Sequence, residues 1–461
     1  MQAKEIVVVA SAPTVDVGSS TTGVSVNAEY ISRLPLNAPS SKGAATRSFE
    51  ALAEVAPGAV SDAYGVSIAG TTSPENRYVV DGVPVNNPAF GVIGTPLSVE
   101  FVKEVNIITG GYMPEYGRST GGQLDVLTKT GSNEFHGSVF SSITPGIFEG
   151  PRPTNYREGS VITTTPALSS LQDLGVDLGG PILKDKLWFY VGLTGSLARY
   201  RLVRGINTLA NDGTLNPIPG TDQTFYATQR SVTFIGKLTY LINQDNTLTL
   251  AVSGSPTVSG GNGTFGLNPR NGLIEIDNAN SSGTINGAYS ALAHTYVANP
   301  VDTSLKWSSA FNNKHLLFDA TLGWHHEQSA VRAADGTALA SGQGLSNVSQ
   351  VFWQRTDPGP HSINDFEPGV CNADPARCPV STYFSGGPGV FASTLHEALL
   401  DTVVGRGMVT SLFTGLGHHV VKAGVDFEHA RYQSSRGTRA STSTRRPPTA
   451  RSSPTSASLA T

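Results

Sequence analysis

The residues able to do chemistry are few. Cys371 and Cys378 are the two cysteines of the chain. They sit close together in a Pro/Asp-rich stretch, CNADPARC, which reads as a local disulfide formed in an oxidising compartment. Two free thiols are the plainer alternative. Zinc lacks a second Cys/His pair at ligand spacing. His325-His326 and His418-His419 are adjacent pairs. On a strand, neighbours point to opposite faces, so neither pair grips one metal. They read as surface or interface histidines. GGNGTFG over 260–266 has glycines but no strand-to-helix context, so it is a poor phosphate cradle. No GxSxG, HExxH or CxxC occurs, and scattered Ser, His and Asp place no triad. The expectation is a chain that catalyses nothing and holds no cofactor or metal.

Recognition is the remaining chemistry, and it depends on backbone. Glu5-Ile6-Val7-Val8-Val9-Ala10 is a β-branched run flanked by Ser, Pro and Thr. Such a run makes an extended strand with free edges, suited either to strand addition by a partner or to an ordinary sheet. Thr14 to Asn27 reads as a linker. Phe49, Leu52, Ala53 and Ala56 share a helical face that Pro57-Gly58 ends. Asp81-Gly82 lies between two β-branched runs, a hairpin signal. Leu97–Phe101 reads as one helical turn before a strand over Val102–Thr109.

From Glu100 to Phe140 the chain reads EFVKEVNIITGGYMPEYGRSTGGQLDVLTKTGSNEFHGSVF. A strand ends at Gly110-Gly111. Gly117, Gly121 and Gly122 crowd a turn where the backbone bends sharply or meets another backbone. Leu124, Val126 and Thr128 resume a strand, and a new rhythm opens at Phe135. EVNIITGG followed by EYGRSTGGQLDVLTKTGSNEFHG resembles the end of the plug and the entry to the barrel in TonB-dependent outer-membrane receptors, in particular their Oar-like (OmpA-related) branch. The hairpin VDGVP around Asp81 and Gly82 fits the same plug.

Composition permits that fold. The chain has 461 residues, with 51 glycines and 14% charged residues. No apolar run is long enough for a helical membrane span, whereas barrel strands need only weak alternation. The net charge of −4 and the lack of a basic stripe exclude a nucleic-acid binder. Past Asn133, short turns at Lys184-Asp185-Lys186, Asn243–Asn246, Asn312-Asn313-Lys314 and Gly415-Leu416-Gly417 alternate with long loops over about 144–170, 200–227, 254–299 and 328–398. Strands between them alternate. Val232, Phe234, Leu238 and Tyr240 oppose Thr233, Lys237 and Thr239. Leu316, Phe318, Ala320, Leu322 and Trp324 oppose Asp319 and Thr321. Val421, Ala423, Val425 and Phe427 oppose Lys422, Gly424 and Asp426. That is the pattern of a transmembrane barrel, with apolar side chains to lipid and polar ones to the lumen. Trp188, Phe189, Tyr190, Tyr240 and Trp324 fit its aromatic girdles.

The expected fold is mainly β. Residues 1–29 form a lead with a TonB-box-like run, 30–132 a small α/β plug domain, and 133–430 part of an antiparallel transmembrane β-barrel. Residues 431–461 read as a disordered or frame-shifted tail. About nine strands cannot close around a plug, since plugged transporters use about 22, so the barrel is expected to be incomplete. The start MQAKEIVVVASAP is too short in its apolar core for a signal peptide, although export to the outer membrane needs one. The resemblance implies that TonB captures Glu5–Ala10, that outer-membrane lipid surrounds the barrel, and that long loops take an unknown ligand such as an iron chelate, cobalamin, glycan or peptide. Glu115 and Arg118 either latch the plug to lumen charges such as Lys237 or Asp319 or stay as solvated charges of the turn. The competing expectation is a soluble or surface β-protein that binds glycans or proteins through its loops. A surface enzyme is a weaker third.

Overall fold

The computed structural model describes residues 21–34, 47–62, 64–87, 89–113, 117–268, 272–276, 283–354, 361–388, 395–414 and 417–437, and the backbone of 442–444. No helix among them is long and apolar enough to cross a membrane. Any crossing falls to strands.

The amino-terminal unit is built on a five-stranded sheet: β1 (Thr22–Asn27), β2 (Arg77–Val80), β3 (Val83–Pro84), β4 (Val102–Gly110) and β5 (Gln123–Thr128), in the order β1-β4-β5-β2-β3. β2 and β5 run parallel; the other pairs are antiparallel. Phe49–Val55 winds as tight 3₁₀ turns, burying Phe49 and Leu52. They pack with Ile68, Tyr78, Phe101, Val105, Ile107 and Leu124 into one apolar core. Residues 22–27 are not linker, contrary to expectation. Val26 is buried, and the segment pairs with β4 from Thr22 opposite Gly110 to Asn27 opposite Glu104. Ser and Gly between the valines hide a strand in what reads as a flexible composition.

From His136 the chain becomes an antiparallel meander. Its strands are β6 (His136–Pro145), β7 (Ile162–Leu183), β8 (Leu187–Leu209), β9 (Gln223–Asn243), β10 (Asn246–Gly254), β11 (His294–Phe311), β12 (Leu316–Ala333), β13 (His396–Thr414) and β14 (His418–Arg436). Each pairs with the next, giving nine successive strands that do not close among the described residues. The expected long loops shrink because strands run on into them. At about 3.3 Å per residue a strand the length of β7 reaches roughly 70 Å, well past a bilayer. β14 likewise continues to Arg436, into the expected tail. Residues 442–444 pair with Val351–Trp353.

The faces of this sheet are inverted relative to a soluble protein. On β7, Leu174, Val176 and Leu178 are exposed, while Asp173 and Asp177 on the opposite face are buried. On β9, Val232 and Leu238 face out, and Ser231, Thr233 and Lys237 face in. Leu322, Trp324, Val425 and Phe427 also face out, with Val425 78% exposed. The apolar outer band runs from Leu187 to Leu197 on β8 and from Val232 to Ile242 on β9. Each covers roughly the nine to eleven residues that a tilted strand needs to cross hydrocarbon. Among the described residues no second sheet or helix layer covers it, which disfavours a soluble sandwich. Tyr240, Trp307 and Phe318 sit outside near the short turns, and Trp324 near the other edge. Trp188 and Tyr190 do not join this girdle. They face the lumen, where Trp188 Nε1 donates to Asn133 Oδ1 at 2.7 Å and the Tyr190 hydroxyl to Asp177 Oδ2 at 3.1 Å. Phase along β8 decides this, and a strand-end position alone does not reveal it.

Depth dependence tests the band. Leu193→Arg, near its centre, is expected to lower the unfolding free energy in lipid vesicles by about 2–4 kcal/mol, whereas Ile242→Arg, beside a short turn, costs about 0–1. Equal losses at the two positions in urea titrations would contradict the assignment.

Candidate functional site

Asp81 and Gly82 both have positive φ, 47° and 86°. This is the type I′ geometry that an Asp-Gly pair favours between strands. The turn pushes the Asp81 carboxylate out of the plug toward the barrel wall. Its Oδ2 accepts from Thr128 Oγ1 at 2.6 Å, and Lys237 Nζ on β9 donates to Asp81 Oδ1 at 2.9 Å and to Thr128 Oγ1 at 2.9 Å. Lys237 and Asp81 side chains are 4% and 9% exposed. Gly82 lies against Thr321 of β12.

The glycine-rich turn docks at a second point. A side chain on Gly122 would collide with Ile68, and one on Gly121 with Asn76 and Thr71. Their absence lets Asn76 reach across, accepting from Gly122 N at 2.7 Å and donating to Val66 O at 2.6 Å. Arg118, held at φ 66°, ion-pairs with Glu428 and lies 3.9 Å from Asp426, both on β14. Arg77 approaches the same Glu428 at 3.9 Å. The expected partners of Arg118 are therefore corrected. Lys237 serves Asp81, Asp319 accepts from Ser308, and Arg118 takes the acids of the last strand. Glu115 and Glu5 to Ala10 lie outside the described residues.

The join between plug and barrel is fastened by Asp177, which accepts from Lys129 at 3.1 Å and from Ser138 N at 2.7 Å. Burial pushes the Asp125 carboxyl of β5 above its ordinary range, and Lys306 and Arg406 on the wall oppose that shift.

At the end with long connections, the plug loop around Asn87 and Gly94 meets the wall. Asn87 Nδ2 donates to Glu327 Oε2 at 2.8 Å. His325 on β12 donates through Nδ1 to Asp302 at 2.6 Å and turns its ring onto Gly94, where any side chain would clash. His326 points outward instead and bonds Asp401 at 2.9 Å. A cavity of about 110 Å³ lies between this plug loop and Tyr296, Glu327 and His396. It has room for a handful of waters.

Above it, the connection from β12 to β13 folds into a cap. Two short strands, Gln350–Gln354 and Thr382–Gly386, pair there. Trp353, Ile363 and Tyr383 pack with Val161, Ile162 and Ile206, and the sulfurs of Cys371 and Cys378 are bonded in the same cluster. Buried Arg204 of β8 joins the cap to the barrel. Its Nη1 donates to Glu367 Oε2 at 3.1 Å and its Nε to Ile285 O at 2.7 Å. Burial and the Glu367 carboxylate push the Tyr383 hydroxyl well above its ordinary pKa, so it stays a donor to Glu367. Sequence reasoning missed Asn87, Glu327 and Arg204, and read His325 as a surface or interface histidine without placing it against the plug. Their lumen-facing phase on strands, or their place in a plug loop, was the available signal.

An outer membrane beta barrel domain family matches residues 127–460, and the TonB-dependent receptor plug domain matches residues 10–123. The chain is 45% identical over 443 residues to the TonB-dependent transporter Oar of Myxococcus xanthus, covering 91% of this chain and 40% of that protein. The outer-membrane transporter YddB of Escherichia coli superposes with a TM-score of 0.57 at 15% identity, covering 89% of this chain and 48% of YddB. A variant of the ferric enterobactin receptor PfeA of Pseudomonas aeruginosa gives 0.50 at 13% identity, covering 89% and 49%. The chain thus spans less than half the length of these relatives.

Breaking the central pair has a defined expectation. Lys237→Met leaves the Asp81 carboxylate buried without its cation and is expected to cost about 3–5 kcal/mol of plug docking. Adding Asp81→Asn to Lys237→Met removes the stranded charge and recovers part of the loss. Protease accessibility of the plug, read as a double-mutant cycle, measures both. A coupling near zero would show that the pair does not fasten the plug.

Proposed function

The chain belongs to the outer-membrane β-barrel family of TonB-dependent receptors, and from that premise we propose that it serves energised transport across the outer membrane. Its place is the outer membrane. A ligand is captured from outside by the long connections and the plug loop around Asn87–Gly94. TonB then takes Glu5–Ala10 as an added strand, and the pull rearranges the plug. One observation supports the reading most: a sheet with apolar residues outside and charges inside is filled by a separate folded unit that satisfies those charges. A sheet built only to hold a surface domain has no use for an ion-paired stopper.

In this reading the plug sits against the inner face of the wall, fastened through Lys237–Asp81 and Asn87–Glu327, so passage past it requires the plug loop or the cap to move. The contacts that resist movement are unequal. The Lys237–Asp81 pair is buried, while Arg118 is half exposed, where ion pairs contribute little.

Strand addition depends on backbone donors, so Val7→Pro removes a ladder hydrogen bond. Capture of the full chain by the periplasmic domain of TonB is expected to fall sharply in Val7→Pro and to survive Val7→Ile. Undiminished capture of the proline variant would refute the assignment of this segment.

A further inference from the structure

The outer face of the barrel has a charged feature that neither the plug nor the cavity uses. On β8 the apolar band ends at Leu197, and Arg199 and Arg201 follow on the same face. On β9 the band ends at Val232, and Arg230 follows, directly opposite Leu197 in the register. Arg199 pairs with Thr228 and Arg201 with Tyr226 across the two strands. The three arginines thus form successive rows, roughly 6–7 Å apart along the strands, that begin at the edge of the hydrocarbon band. All three are exposed. None has an acidic partner among the described residues.

Elsewhere on the outer face near this height, charges come in pairs. His326 bonds Asp401, and Arg332 lies 4.0 Å from Glu397. The excess of cation is local to β8 and β9. Part of it is also held in place, because the Arg199 guanidinium lies 4.0 Å over the Tyr226 ring. Next to it on β7, Ser170 stands opposite Arg199, and Gln172 Nε2 donates to Ser170 Oγ at 3.2 Å. Polar groups able to contact a sugar or a phosphate oxygen therefore flank the guanidiniums.

The long connections mark this end of the strands as the outer one. A cation just above the band there meets lipid headgroups of the outer leaflet. Arginine presents a planar fork that matches phosphate oxygens two at a time. We propose that Arg199, Arg201 and Arg230 form a binding site for the phosphate groups of an outer-leaflet glycolipid, with its acyl chains lying along Leu193, Leu197 and Val232. The inference rests on the outward placement of the long connections. It does not depend on what the lumen transports.

The test uses the full chain in detergent, titrated with diphosphoryl lipid A, with the same lipid after removal of its phosphates, and with inorganic phosphate. Diphosphoryl lipid A is expected to bind. The triple variant Arg199→Gln, Arg201→Gln, Arg230→Gln is expected to bind it roughly tenfold to a hundredfold more weakly. The triple lysine variant keeps the charge but loses the planar fork and the stacking of Arg199 on Tyr226, and is expected to bind more weakly than the native chain and more tightly than the glutamine variant. The dephosphorylated lipid and inorganic phosphate are expected to bind weakly. Circular dichroism shows whether each variant keeps its β structure. If only the glutamine variant unfolds, the lysine variant and the dephosphorylated lipid still decide. Equal affinity of the glutamine variant, equal binding of the dephosphorylated lipid, or inorganic phosphate binding as tightly as the lipid would each overturn the proposal. TonB capture by the glutamine variant is expected to be unchanged, so a failure here is separable from a failure of the transport reading.

Discussion

Hydrocarbon offers no hydrogen bonds, and that fact shapes this molecule. Any backbone that crosses must pair its own N–H and C=O groups. Long antiparallel strands do so, each zipped to its neighbours from the short turns outward. The same solvent inverts the side chains. Leu174, Val176 and Leu178 are exposed because lipid is their core. Asp173, Asp177, Thr233 and Lys237 go inward because lipid excludes them. The inversion creates a second problem, since a lumen lined with charge must be filled with something that answers it. The plug does this. Asp81 meets Lys237, Lys129 meets Asp177, and Arg118 meets Glu428. The apolar outside and the ion-paired inside follow from one constraint.

Fitting a folded unit inside a sheet demands close approach, and glycine is how the chain achieves it. Gly122 lets the turn settle on Ile68, Gly192 leaves room for the Phe101 ring, and Gly94 accepts the His325 ring. A methyl at any of these would push plug from wall or turn from sheet. Part of the glycine content that suggests flexibility in composition is thus a packing device. Another part serves positive φ in turns spread along the chain, from Gly58 through Gly82 to Gly417.

Period-two alternation made the barrel strands readable. Val232–Tyr240, Leu316–Trp324 and Val421–Phe427 each placed their apolar residues on the outer face. Short turns were legible at Lys184-Asp185-Lys186 and Asn312-Asn313-Lys314, where Asp185, Asn312, Asn313 and Lys314 take left-handed backbone, and at Asn243–Asn246, which joins β9 to β10; Gly415 and Leu416 lie outside the described residues. The plug hairpin showed itself through Asp-Gly. Strand length did not, since above the bilayer the outer face becomes polar and the alternation fades, so β7 and β8 read as loop well before they end. β1 was lost for a related reason: an edge strand with only one fully buried residue, Val26, has little apolar signal. Pairing was hidden altogether. Phase places Lys237, Asp302, His325 and Glu327 in the lumen, but nothing local shows which plug residue each one meets.

The layout of the plug sheet constrains how it yields under a pull. Among the described residues β1 is an edge strand that pairs with β4 alone, whereas the Asp81 turn lies at the opposite end of the order β1-β4-β5-β2-β3. Force delivered through the amino-terminal side reaches β1 first. β1 is held mainly by its ladder to β4, with one buried side chain and the exposed Ser25 contact to Glu104. The Asp81–Lys237–Thr128 cluster is buried and lies farther along the chain from the pull, so β1 is loaded before it. Under the transport reading, the strand nearest the pull therefore detaches while the far side of the plug stays fastened to β9. A path would then open along the β1 side of the lumen, with the Lys237 side acting as the fixed wall.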